Sequence, residues 1–178
     1  MLIRNATEND AQRIIEISRS LTISRDSTEA SGFVEYTTPD EVEMKERILE
    51  SSYFYVAEDD SRNVVGFFSN YQDNKLAFLR DDEITAHISR KPMPFVYCDQ
   101  MGIDRAYQRR GATNNFWARL FTDIASSDYR TLWTAVSHRP IRNNRVAQGI
   151  VRFGFVLEEE LEVYNGLTFG IYRKRLSF

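Results

Sequence analysis

With 178 residues, 42% of them hydrophobic and 28% charged, the chain has the length and composition of one globular domain with a sizeable core. A mean hydropathy of -0.46 and the lack of a long apolar run argue against a membrane-spanning role. The formal net charge of -3 and a pI near 5.5 argue against nucleic acid as a general partner. Cys98 is the sole cysteine, so an internal disulfide and a multi-cysteine metal cage are both excluded, and no metal is expected. Met1 to Asn5 run into polar sequence without the pattern of a secretory signal, and a cytoplasmic location is expected.

Leu2-Ile3-Arg4 reads as a short first strand. Thr7 to Asp10 then supply capping residues ahead of Ile14, Ile15, Ile17 and Leu21, whose spacing is helical. Thr38-Pro39-Asp40-Glu41 combines an N-cap hydroxyl, a proline suited to the first helical position and a following Glu, predicting a helix to about Leu49. Tyr53 to Ala57 and Val64 to Ser69 are β-rich runs around a polar turn and read as a hairpin. Residues 72–94 carry no clean period and read as an insertion or lid. Phe95 to Ile103 reads as a central strand, with Gly102 suited to a bulge.

Phe116, Trp117, Leu120, Phe121 and Ile124 share one helical face that a sheet must cover. Thr131 to Ser137 is a further strand, and Asn143 to Phe153 a short helix stopped by Gly154. Phe155 starts another strand. Asn165-Gly166 signals a two-residue type I′ turn in a closing hairpin, with Leu167 leaving its register open. The order β-α-α-β-β-β-α-β-α-β-β predicts a single α/β domain of the α+β kind over residues 1–178.

The segment Ile103 to Thr113 joins the central strand to the apolar-faced helix. A helix amino terminus offers unpaired N–H groups and a partial positive charge, so a diphosphate placed there meets donors and a favourable dipole. Gly111 permits close approach, and Arg109 and Arg110 add positive charge in a protein that is acidic overall. An anionic ligand follows from these residues, against the plainer reading of a surface turn with solvated arginines.

Gln108-Arg109-Arg110-Gly111-Ala112-Thr113 resembles the acetyl-CoA pyrophosphate loop of the GNAT (GCN5-related) N-acetyltransferase superfamily: Arg or Gln, two residues, Gly, one residue, then Gly or Ala. Gln108 and Gly111 match, while Thr113 departs from the small residue usual there. A later strand, Asn143 and Phe153-Gly154-Phe155 follow in the superfamily's order, so the resemblance covers nearly the whole chain. The opening Tyr97-x-Asp99 of the central strand resembles a bacterial subgroup of acetyltransferases.

The resemblance implies a mixed sheet of about six to seven strands, flanked by about four helices and splayed between the fourth and fifth strands. It implies acetyl-CoA as cosubstrate, with Met101, Gly102 and Ile103 along the pantetheine arm, the loop Gln108, Arg109, Arg110, Gly111, Ala112 and Thr113 at the pyrophosphate, and Asn143 on the far side. The activity implied is direct transfer of acetyl, through a tetrahedral intermediate, to an amine of a small-molecule acceptor. A protein or peptide acceptor, and a CoA-binding sensor without catalysis, are the alternatives. The chain would act as a monomer or homodimer.

An ammonium must lose a proton before it attacks a thioester. Asp99 is the candidate base if strand alternation puts it on the face of Met101; its alternative is a structural pairing with an arginine. The tyrosine that often serves as acid in this superfamily is replaced by Ile150, leaving Tyr164, Tyr107 or water. His87 and His138 read as bystanders, and Cys98 as a buried small residue.

Overall fold

The computed structural model describes residues 1–29, 31–79 and 82–177. β1 (Leu2–Asn5) leads into α1 (Ala11–Leu21), and the Arg4 guanidinium ties the two together, meeting Asp10 at 2.7 Å and Glu58 at 2.6 Å. α1 buries Ile14, Ile15, Ile17 and Leu21, as its period requires. β2 (Thr22–Ile23) and β3 (Phe33–Val34) form a small parallel pair, too short to show a period in the sequence. α2 (Glu41–Glu50) starts two residues later than the Thr38 signal predicts, because the Asp40 carboxylate takes the capping position and accepts from the Glu43 N–H at 2.9 Å.

β4 (Tyr55–Glu58) and β5 (Val64–Gln72) form the expected hairpin. The next segment, read as an insertion or lid, contains a 3-10 turn at Asp73–Phe78 and a short α3 (Glu83–Ile88); its residues 80 and 81 lie outside the described residues. Leu76, Leu79, Ile84 and Ile88 pack on Tyr71, Phe95 and Tyr97, so this segment walls one face of the sheet.

β6 (Val96–Ile103), α4 (Ala112–Ile124), β7 (Thr131–Arg139) and α5 (Asn144–Arg152) follow. Gly154, at φ +86°, lets the Phe155 N–H return to the Ile150 carbonyl at 3.1 Å, the stop that the sequence predicts for α5. β8 (Val156–Val163) and β9 (Leu167–Arg175) close the chain. Their loop is three residues long rather than two: Val163 pairs with Leu167, and Tyr164, Asn165 and Gly166 all take positive φ. Leu167 sets that register by burying against Ile23 and Val34.

The main sheet has seven strands in the order β1-β4-β5-β6-β7-β9-β8. All its pairs are antiparallel except β6–β7, which run parallel and pair only through Val96–Cys98 and Leu132–Thr134. Beyond Cys98 and Thr134 the two strands part, which is the expected splay between the fourth and fifth strands of the sheet. Phe116, Trp117, Leu120 and Ile124 of α4 cover one face with Phe68 and Leu132, and each fully buried side chain of this size is worth about 1.5–3 kcal/mol.

One irregularity interrupts the pairing of β5 with β6. Ser69 pairs with Gln100 and Asn70 with Cys98, so Asp99 is the extra residue of a β-bulge. The sequence placed that bulge at Gly102. Gly102 instead remains in register opposite Phe67, where a Cβ would come within 2.4 Å of the Phe67 ring.

Candidate functional site

The loop after β6 ends on Gly111, which caps α4 at φ +90° and ψ -3°, a left-handed conformation that suits glycine. No side chain among the described residues caps this terminus, so the first amides of α4 keep their hydrogen-bonding capacity. A pocket of about 250 Å³ sits there, lined by Ile103, Arg109, Gly111, Ala112, Thr113, Asn114 and Arg145. A Cβ added to Gly111 would meet nothing within 4 Å, so the backbone is open to close approach.

Arg145, on α5, was not found from the sequence; its only signal there is the basic run from Arg139 to Arg152. Gln108 lines the larger cleft beyond this pocket and braces the loop, donating from Nε2 to the Ile103 carbonyl at 3.3 Å. Arg110 is absent from the lining and lies 5.1 Å over the Tyr107 ring, whose hydroxyl donates to Asp59 at 2.9 Å.

From this terminus a cleft of about 2160 Å³ continues through the gap between β6 and β7. Met101, Ile103, Thr113 and Asn143 line it; Asn143 also caps α5, accepting from the Val146 N–H at 3.1 Å. Gly102 faces the other way, under Phe67 and Leu21.

The far end of the cleft gathers Tyr36, Arg47, Asp82, Asp99 and Tyr164. The bulge turns Asp99 away from Met101, so the two do not share a face as strict alternation would require. Its carboxyl meets Ser69 Oγ at 3.4 Å, with the Tyr97 hydroxyl also beside it, and forms no ion pair among the described residues. Burial, reinforced by Asp82, pushes its pKa up to about 7 against the opposing pull of Arg47. Neither Arg47 nor Tyr36 was singled out in the sequence.

The Tyr164 hydroxyl donates to Asp82, and burial together with that carboxylate holds the phenol above its ordinary pKa. The Tyr164 N–H donates to Glu83 at 3.2 Å, so the β8–β9 turn is latched to the start of α3. The cleft is therefore bipolar. Arg109, Arg145 and Arg152 line the end at α4 and α5, whereas Asp82, Glu83 and Asp99 line the other and have no ion-pair partner among the described residues.

Cys98 is 1% exposed, and burial together with Asp99 pushes its thiol well up, so it offers no thiolate nucleophile. His138 is absent from the cleft lining and lies between Glu160 at 2.6 Å and the Tyr172 hydroxyl at 2.9 Å. His87 is engaged by Glu159 at 2.9 Å. Ile150 is buried, with no hydroxyl where the superfamily often has one. Among the described residues no cluster of three or more His, Cys, Asp or Glu is arranged for a metal, and no helix is long and apolar enough to cross a membrane.

No protein-family model matches the sequence, and a search of curated proteins finds no match. Solved structures do match. Ard1 from Thermoplasma volcanium superposes with a TM-score of 0.71 at 13% identity, over 99% of this chain and 98% of that one. A GNAT superfamily phosphinothricin acetyltransferase from Sinorhizobium meliloti, in complex with AcCoA, gives 0.67 at 16% identity, over 98% and 88% of the two chains. The chain has the GNAT fold. Chaetomium thermophilum Naa20, in complex with a bisubstrate analogue, gives 0.70 at 11% identity over 99% and 87%. Within the GNAT fold, the open helix terminus and the splayed strand pair occupy adjoining stretches of one cleft.

Proposed function

We propose that the protein is an acetyl-CoA-dependent N-acetyltransferase acting on the amine of a small molecule. The observation that carries this is the parting of β6 from β7 beside an uncapped helix terminus, which leaves two rows of backbone groups next to a row of amide donors. The amides at the start of α4, with Arg109 and Arg145, fit a diphosphate in charge and in room. The backbone of β6 from Asp99 to Ile103, left unpaired by β7, would serve the pantetheine arm as a strand partner. Neighbours of the same fold include an acetyltransferase in complex with AcCoA, which supports the reading.

Acetyl-CoA brings an activated acetyl group as a thioester. The chain supplies the proton acceptor: Asp99, with a pKa near neutrality, takes a proton from the incoming ammonium so that the free amine attacks. Met101 and Ile103 line the approach on the α4 side. Tyr164 keeps its proton on Asp82 and forms the wall of the acceptor end, leaving solvent to protonate the departing thiolate. The latch between Tyr164 and α3 narrows that end, favouring a small acceptor over a protein chain.

Titration calorimetry with CoA and acetyl-CoA tests the first half, with binding in the micromolar range expected, and loss of both affinities removes the proposal. Release of free thiol across a panel of amines tests the second. Binding without turnover of any amine would leave a sensor.

A further inference from the structure

Tyr71 is 1% exposed, yet its hydroxyl finds no hydrogen-bond partner of acceptable geometry among the described residues. It stands on β5 opposite Tyr97, which lines the cleft two residues before Asp99, and lies beneath that lining. A buried phenol without a partner is costly, and a ligand atom that reached it would complete it. The fields of Asp99, Arg47 and Tyr36 all reach this hydroxyl, and the Ser69 side chain lies close to it.

Arg47 is the cation of that neighbourhood, with a side chain only 16% exposed. Its Nε and Nη2 donate to Glu43 Oε1 at 3.0 and 2.7 Å, and its Nη1 donates to the Tyr36 hydroxyl at 3.4 Å. A guanidinium has about five N–H donors, so some remain uncommitted. Burial pushes the Tyr36 phenol up to about 12, so it keeps its proton and can donate it. Arg47 and Asp99 both line the cleft and act on one another without forming an ion pair.

We propose that Arg47, Tyr36 and Tyr71 form an anion subsite that holds a carboxylate of the acceptor while its amine lies at Asp99, so that the acceptor is a zwitterion of the amino-acid type. Resting on the transferase reading above, this names the acceptor class. A carboxylate takes bidentate donors from arginine and completes the Tyr71 hydroxyl. The ammonium faces Asp99 with Asp82 nearby, so each charge of such an acceptor meets its opposite within one enclosed space.

The test uses the full chain with acetyl-CoA and matched probes: L-methionine, L-glutamate, L-tryptophan and L-lysine, each beside its α-amide. Turnover is read as kcat/KM, and binding of each probe to the CoA complex by calorimetry. At least one free acid should exceed its amide by about tenfold or more, chiefly through KM, as expected when a buried donor set is left unfilled. Arg47→Gln should bring that ratio close to one, Arg47→Lys should restore part of it, and Tyr71→Phe should lower it several-fold. CoA affinity, measured on each variant, reports whether it is folded.

The subsite is overturned if every amide equals or exceeds its acid in turnover and in binding, if no acid binds at all, or if the preference survives Arg47→Gln. Turnover of amides alone would do so while leaving the transferase reading intact. Absence of CoA binding to the wild type would instead remove the transferase reading, and the subsite with it.

Discussion

Replacing Asp99 by Asn should sharply lower activity and at the same time stabilise the protein. The wild-type carboxyl is held at about 7, against 3.8 for a free one, chiefly because its charge is buried. Below pH 4 the group is protonated in both the folded and unfolded chains and contributes nothing. Between pH 4 and 7 the unfolded chain ionises first, so stability falls as pH rises and levels off above pH 7. The full penalty is about 4 kcal/mol, and asparagine, which carries no charge, escapes it. Urea denaturation of wild type and Asp99→Asn at pH 5 and pH 8 should show a gap that widens with pH.

The same pKa governs the rate. About one-tenth of the base is ionised at pH 6 and about nine-tenths at pH 8, so log kcat/KM should rise with unit slope and bend near pH 7. Asp99→Asn should lose about 10²–10⁴-fold and the bend together, because that is the usual contribution of a positioned base. A variant that keeps the bend, or loses less than about tenfold, would remove Asp99 from the chemistry. Equal stability gaps at the two pH values would show that its charge is not buried.

The remaining predictions concern the supports of the site. Arg47→Gln should move the inflection of the pH–rate profile above that of wild type, since Arg47 is the largest influence holding the Asp99 pKa down; an unmoved inflection refutes the coupling. Arg109→Gln and Arg145→Gln should each weaken CoA binding by about fivefold to tenfold, near 1 kcal/mol, and flatten its salt dependence in calorimetry. Gly111→Ala should cost about 1–2 kcal/mol in thermal unfolding, from the left-handed backbone and not from a clash, because its new Cβ has open space around it. Gly102→Ala should cost about 1–3 kcal/mol for the opposite reason, its methyl landing 2.4 Å from a Phe67 ring atom; an unchanged melting temperature would refute that packing.

Features written in local chemistry were legible in the sequence. The periodic apolar face of α4, the glycine that stops α5 and the glycine turn that opens α4 each depend on a few neighbouring residues, and each stands where the sequence placed it. Tertiary features were not. Arg47 was not singled out, because its four-residue spacing from Glu43 is that of an ordinary pair on a helix surface; only the packing of α2 brings the guanidinium to Tyr36. Tyr71 lies beyond Ser69, where the sequence ends the strand, and nothing local marks its hydroxyl as one without a partner. The bulge left no signal because the residue displaced is Asp99, while the glycine that resembled a bulge site is needed for close packing on Phe67.

That bulge connects the fold to the proposed chemistry. In a regular β6, Asp99 and Met101 would both follow Tyr97 onto the face of Tyr71, and Met101 would leave the α4 face where Val96 and Cys98 lie. One extra residue leaves Asp99 on the face of Tyr97 and Tyr71 and turns Met101 against α4. The bulge sits at the pair where β7 leaves β6, since Cys98 is the last residue of β6 paired to its parallel neighbour. Base and thioester would thus meet from opposite faces of the sheet, at the point where the sheet is open. A strand without the extra residue would turn Met101 to the face of the base and leave the α4 side of the groove without it.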